Sequence, residues 1–174
     1  MLKRAIIGAS RTLDRICRMA AAAGVVLMVA LIAIQVVARY IVQSSPGWTE
    51  EGARYAMVWA GFLGAAVAFR MRVDPVMLQL ERFESGRWRV LGGALRAFAT
   101  LLFLLPILWF CVVGPGGDLA RGFIARSAAR DAETIGVSMS WFTIALPLMI
   151  VVIFVHLAAS LLGDRPQPAP GDPL

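Results

Sequence analysis

Apolar and polar residues alternate along this chain in long blocks. Met19 to Ala38 is almost wholly apolar, with Gln35 the one polar interruption. At about 1.5 Å per helical residue the run covers about 30 Å, the thickness of a bilayer's hydrocarbon core. Trp48 to Phe69, Val90 to Val113 and Trp141 to Leu162 repeat the pattern, and nothing polar interrupts Ala56 to Phe69. The blocks predict an all-α integral membrane protein with transmembrane helices over residues 19–38, 48–69, 90–113 and 141–162.

The connections have signals of their own. Ser45-Pro46-Gly47 announces the second helix, with Ser45 or Thr49 as its cap and Pro46 at the first helical position. Glu50 and Glu51 then sit in the first turn, where the helix dipole favours negative charge. Asp74-Pro75 opens a short segment in which Val76, Met77, Leu80 and Phe83 share one face, which predicts an amphipathic interfacial helix over residues 74–85. Pro106 predicts a kink in the third span, and Gly114-Pro115-Gly116-Gly117 stops it. Asp118 to Ser140 reads as a polar loop. The tail DRPQPAPGDPL, residues 164–174, reads as disordered and leaves one domain over residues 1–163.

Composition agrees with a bilayer as solvent: 59% of the 174 residues are hydrophobic, 16% are charged, and the mean hydropathy is +0.75. The net charge of +6 comes almost entirely from arginine, because Lys3 is the only lysine. The arginines flank apolar runs, so they report topology rather than nucleic-acid binding. Lys3, Arg4, Arg11, Arg15, Arg18, Arg70, Arg72, Arg82, Arg87, Arg89, Arg96 and Arg165 fall on one side of a four-span chain, against Arg39, Arg54, Arg121, Arg126 and Arg130 on the other. That asymmetry predicts both termini in the cytoplasm. The basic-then-apolar start resembles a signal peptide, but its apolar run is too long and no A-x-A site follows, so a retained first helix is expected.

Several chemistries find no support. Cys17 and Cys111 have no CxxC spacing and lie at opposite faces, beyond the reach of a disulfide. His156 is the only histidine, so a bis-histidine haem is excluded, and a packed or interfacial role is expected. The first span carries no acid, as a small homodimeric exporter would need, and no Ser/His or paired-Asp arrangement suits an intramembrane protease. The expectation is a protein that is not an enzyme and holds neither cofactor nor metal.

Pro46 to Asp74 combines charge and small residues. Glu50 and Glu51 stand i, i+4 and i, i+3 from Arg54. Ala60, Gly64 and Ala68 make one small-residue ridge, and Gly61 with Ala65 makes a neighbouring one, as close helix approach requires. Trp48 and Trp141 suit interfacial anchors, whereas Trp59 lies deeper and is expected to pack on protein. The stretch reads as a docking helix.

Arg39-Tyr40, Trp48, Glu50-Glu51, Arg54-Tyr55, Trp59, Phe62, Gly64-Ala65 and Val73-Asp74 resemble the small membrane subunit of TRAP (tripartite ATP-independent periplasmic) transporters, the DctQ-like family. Thr134-Ile135-Gly136-Val137-Ser138-Met139-Ser140-Trp141, with Pro147, is similar to the start of that family's last helix. One position departs: Arg70 stands where the family often carries histidine, so no role of that histidine is transferred.

The resemblance implies a multi-pass protein of the bacterial inner membrane. Its partners would be a large permease subunit, a periplasmic substrate-binding protein and membrane lipid. Together the components would import an organic acid, such as a dicarboxylate, by symport down a sodium gradient. This chain would be the scaffold for the large subunit and would help to dock the binding protein. The expected large-subunit interface is Arg39, Trp48, Glu50, Glu51, Arg54, Trp59, Gly61, Gly64, Ala65 and Ala68. Arg121, Arg126 and Arg130 are the candidate contacts for the binding protein. The alternative is a non-transport membrane scaffold or assembly factor of the same architecture.

Overall fold

The computed structural model describes residues 1–44, 46–71 and 87–164, with the backbone alone at 87–89. The Ser45 cap, the Asp74 cap and the interfacial helix at 74–85 lie outside the described residues, as does the tail beyond Asp164.

Helices α1 (Leu2–Tyr40), α2 (Gly47–Met71) and α3 (Arg87–Val112) are followed by a cap of short turns, Pro115–Gly117 and Leu119–Arg121, and by helix α4 (Phe123–Ala128). Helices α5 (Ser140–Thr143) and α6 (Ala145–Leu161) complete the chain. Four segments are long and apolar enough to cross a membrane, the last being Ser140–Leu161 taken as one. This is a membrane protein, and no strand occurs among the described residues.

The first helix is longer than its apolar run. It begins at Leu2 because no proline interrupts the basic stretch, and its 39 residues reach about 58 Å at 1.5 Å each. Its inward positions follow a strict 3-4 alternation. Ser10, Asp14 and Cys17 are buried, and Ala21, Gly24, Met28, Leu31, Gln35 and Ala38 are half-buried. On α2 the buried set is Thr49, Ala53, Ala56, Ala60, Leu63 and Ala66. A mean period near 3.5 residues keeps one stripe of each helix facing its neighbour, as in a coiled coil. Small residues let the backbones close up: a Cβ on Gly24 would stand 3.1 Å from the Ala60 Cβ.

Helix α6 fills the third side. Met149, Ile150, Val152 and Ile153 join Cys17, Leu63 and Ala66 in the apolar core, and Leu104, Ile107 and Leu108 of α3 pack against it from outside. The helical bonding is interrupted between α5 and α6 at Ile144, three residues before Pro147, which has no N–H to return to the Thr143 carbonyl. Helix α3 continues unbroken through Pro106. Beyond α3 the chain doubles back so tightly that a Cβ on Gly114 would lie 2.3 Å from the Arg121 backbone, and one on Gly122 would lie 2.2 Å from the Val112 carbonyl oxygen. Glycine is required at both positions.

Candidate functional site

The outward face of α2 has two edges. Glu50, Arg54, Met57, Gly61 and Ala65 are exposed, at spacings of three and four residues that put them on one stripe. Glu50 and Arg54 form the expected i, i+4 ion pair at its head. At Gly61 and Gly64 an added Cβ would meet nothing within 4 Å. Arg39 and Trp48 are exposed near the same end of the bundle, Gly64 is half-buried, and Ala68 is half-buried lower on α2. Of the predicted ridge, Ala60 alone turns inward, against Gly24.

Glu51 and Trp59 lie behind this stripe and bind the chain's own last segment. The Glu51 carboxylate accepts from the Thr134 backbone N–H at 2.9 Å, the Ile135 N–H at 3.1 Å and the Thr134 hydroxyl. Trp59 Nε1 donates to the Trp141 carbonyl at 3.1 Å, and Tyr55 meets Phe142 edge to face with centroids 5.1 Å apart. Trp48 and Trp141 stay exposed. Thr49 lies inside the first turn, and its hydroxyl donates to the Pro46 carbonyl at 2.7 Å instead of capping an amide. Across the cap, Ser127 and Thr143 share a hydrogen bond of 2.6 Å, and Asp131 bridges to Ser138. Arg121, Arg126 and Arg130 stand exposed on the surface of this cap, Arg121 beside Asp118 at 3.5 Å.

A polar junction that sequence reasoning missed ties the opposite end. Arg70, with its side chain 13% exposed, donates to Asp14 of α1 at 2.8 Å and to Asp164, just past α6, at 3.1 Å. Arg18 supplements Asp14 at 2.8 Å, and Arg11 supplements Asp164 at 3.0 Å. Burial alone would push the Asp164 carboxyl up, but the hydrogen bonds from Arg70 and Arg11 outweigh it and hold the group below the usual carboxylate range. Asp164, just past α6, is therefore a buried fastener. Beside it, Ser10 Oγ lies 2.8 Å from Nδ1 of His156, itself 2% exposed. Arg96 of α3 donates to the Phe69 carbonyl at 3.0 Å and stacks over the Phe69 ring at 4.8 Å. The sequence signal for this junction was Asp14, the one acid in a basic stretch, spaced i, i+4 from Ser10 and i, i−3 from Cys17.

The model of the family described as "Tripartite ATP-independent periplasmic transporters, DctQ component" matches residues 28–166. The chain belongs to the DctQ family. That family is a transporter component and not an enzyme class. The match takes in α2, the cap, α6 and hence Arg70, His156 and Asp164, whereas Ser10, Arg11, Asp14 and Arg18 precede it. No curated protein matched the chain. The two cysteines are free and buried, and no group of His, Cys, Asp or Glu suited to a metal occurs among the described residues.

Proposed function

We propose that this chain is the small subunit of a three-part importer in the bacterial inner membrane, with both termini in the cytoplasm. Membership of the DctQ family supports the assembly, and the arginine asymmetry supports the orientation. A large permease subunit carries the organic acid and the coupling sodium ions, and a periplasmic protein delivers the substrate. The role of this chain is to hold the large subunit.

The observation that carries the reading is the outward stripe of α2. Its charged head, Glu50 and Arg54, with Arg39 and Trp48 nearby, sets register at the membrane surface. Gly61, Gly64, Ala65 and Ala68 then let a partner helix approach closely without displacing any side chain of this chain. Glu51 and Trp59 act from behind by fixing the Thr134–Trp141 segment against α2. Arg121, Arg126 and Arg130 make the cap a basic surface for the binding protein.

The test is co-purification with the neighbouring large permease. Gly61→Leu combined with Ala65→Leu keeps this chain folded but abolishes recovery of the large subunit. Proteoliposomes holding both subunits and the binding protein take up substrate with sodium. Undiminished uptake by the large subunit without this chain would refute the role.

A further inference from the structure

We propose that a pocket at the junction end, between α2, α3 and α6, binds a phosphate group. It is lined by Phe69, Arg70, Arg96, His156, Leu157, Ser160 and Asp164. Its inner volume of about 20 Å³ takes one oxygen atom of water's size, so a tetrahedral oxyanion enters by one oxygen and keeps the others at the mouth.

The lining chemistry selects an anion. Nδ1 of His156 is taken by Ser10, and Nε2 is a buried polar atom with no partner among the described residues. In the tautomer in which Ser10 donates to Nδ1, Nε2 carries the hydrogen and is a donor awaiting an acceptor. The other two nitrogenous groups on the wall are guanidiniums, which can only donate. Arg70 uses two of its nitrogens on Asp14 and Asp164. Asp164 is the one carboxylate on the wall among the described residues, and Arg11 and Arg70 already engage both of its oxygens. Among the described residues of the junction, three arginines (Arg11, Arg18 and Arg70) face two carboxylates. Arginine pairs in this setting suit phosphate, whose planar O–P–O edge matches the guanidinium fork.

The position favours a lipid headgroup as the source. The pocket lies where α2 and α6 end, and basic recesses between helix ends are where phosphodiesters of anionic lipids reach protein. Free inorganic phosphate offers the same chemistry, so the experiment separates the two.

Full-length protein is purified in detergent, stripped of lipid, and titrated with phosphatidylglycerol, with diacylglycerol of the same tails, and with inorganic phosphate. Bound lipid is read by native mass spectrometry, and phosphate by ³¹P line broadening. Phosphatidylglycerol is expected to bind, and Arg96→Gln and His156→Leu are each expected to weaken it about tenfold, the usual effect of losing one charged or buried hydrogen bond. Arg96→Lys, which keeps the charge, recovers part of the loss. Size-exclusion and circular dichroism confirm that the variants are folded, and if His156→Leu does not fold, the Arg96 pair decides. Displacement of lipid by millimolar phosphate, with the same sensitivity to Arg96→Gln, assigns the pocket to the free ion. Diacylglycerol binding as well as phosphatidylglycerol, or lipid binding unchanged by both variants, overturns the proposal.

Discussion

Replacing Arg70 with methionine is the most demanding test of how this bundle is held. The guanidinium is 13% exposed and sits between two buried carboxylates, Asp14 at 8% and Asp164 at 4% side-chain exposure. Removing one partner of a buried ion pair costs about 3–5 kcal/mol, because the charge left behind keeps its desolvation penalty. Each carboxylate here retains a second arginine, Arg18 at 48% exposure and Arg11 at 65%, and water screens both of these. The loss therefore falls near the lower end, about 3 kcal/mol. For a chain of 174 residues that corresponds to a drop of roughly 6–12 °C in Tm. The assay is thermal unfolding of the purified protein in detergent at pH 7, followed by tryptophan fluorescence. Adding Asp14→Asn and Asp164→Asn to Arg70→Met removes the stranded charges and should recover part of the loss. A melt within about 2 °C of wild type for Arg70→Met alone would refute the reasoning. So would a triple variant no more stable than the single one.

Two further outcomes follow from the same geometry. Acid should loosen the junction: Asp164 has its folded pKa held below the unfolded value of about 3.9, so its contribution is complete above that value and is lost as pH falls through the folded one. Tm should hold from pH 7 to about 5 and decline below about 4, and Asp164→Asn should melt lower at pH 7 but decline less steeply; parallel declines would remove Asp164 from the account. At the other end, Glu51→Ala should leave the helices intact while the Thr134 and Ile135 amides exchange hydrogen faster, because the carboxylate that accepts from both is gone. Unchanged exchange at those two amides would show the loop to be held by other means.

The spans were legible because a bilayer imposes length and polarity on contiguous residues, and Met19–Ala38 or Trp141–Leu162 needs no partner to be recognised. The outward stripe of α2 was half legible. Glu50 and Arg54 are neighbours in sequence and pair as their spacing says, but whether Ala60 or Gly64 turns inward depends on where α1 lies. The junction was not legible because its members are far apart in the chain. Asp14 and Arg70 look like topology markers, His156 like a solitary packed ring, and Asp164 like the start of a proline-rich tail. Their chemistry exists only once α1, α2 and α6 end at the same level. Arg70 stood out as a departure from the family pattern, yet nothing local names Asp14 and Asp164 as its partners. The partners of Glu51 were hidden for a related reason: the donors to its carboxylate, Thr134 and Ile135, are more than eighty positions away.

The long polar-to-polar reach of α1 and α2 has a mechanical consequence. Their middle, around Gly24 and Ala60, is a close contact of small residues. At one end Arg70 ties α2 to α1 and to the residue just past α6, and at the other Glu51 with Trp59 ties α2 to the approach of α6. A slip of α2 by one helical turn, about 5.4 Å, would break both fastenings at once. Helix α2 is therefore pinned at both ends, and α1 and α6 are joined to it at the Arg70 end. Helix α3 meets this frame through apolar contacts, through Arg96 and, by way of the cap, through the Ser127–Thr143 hydrogen bond.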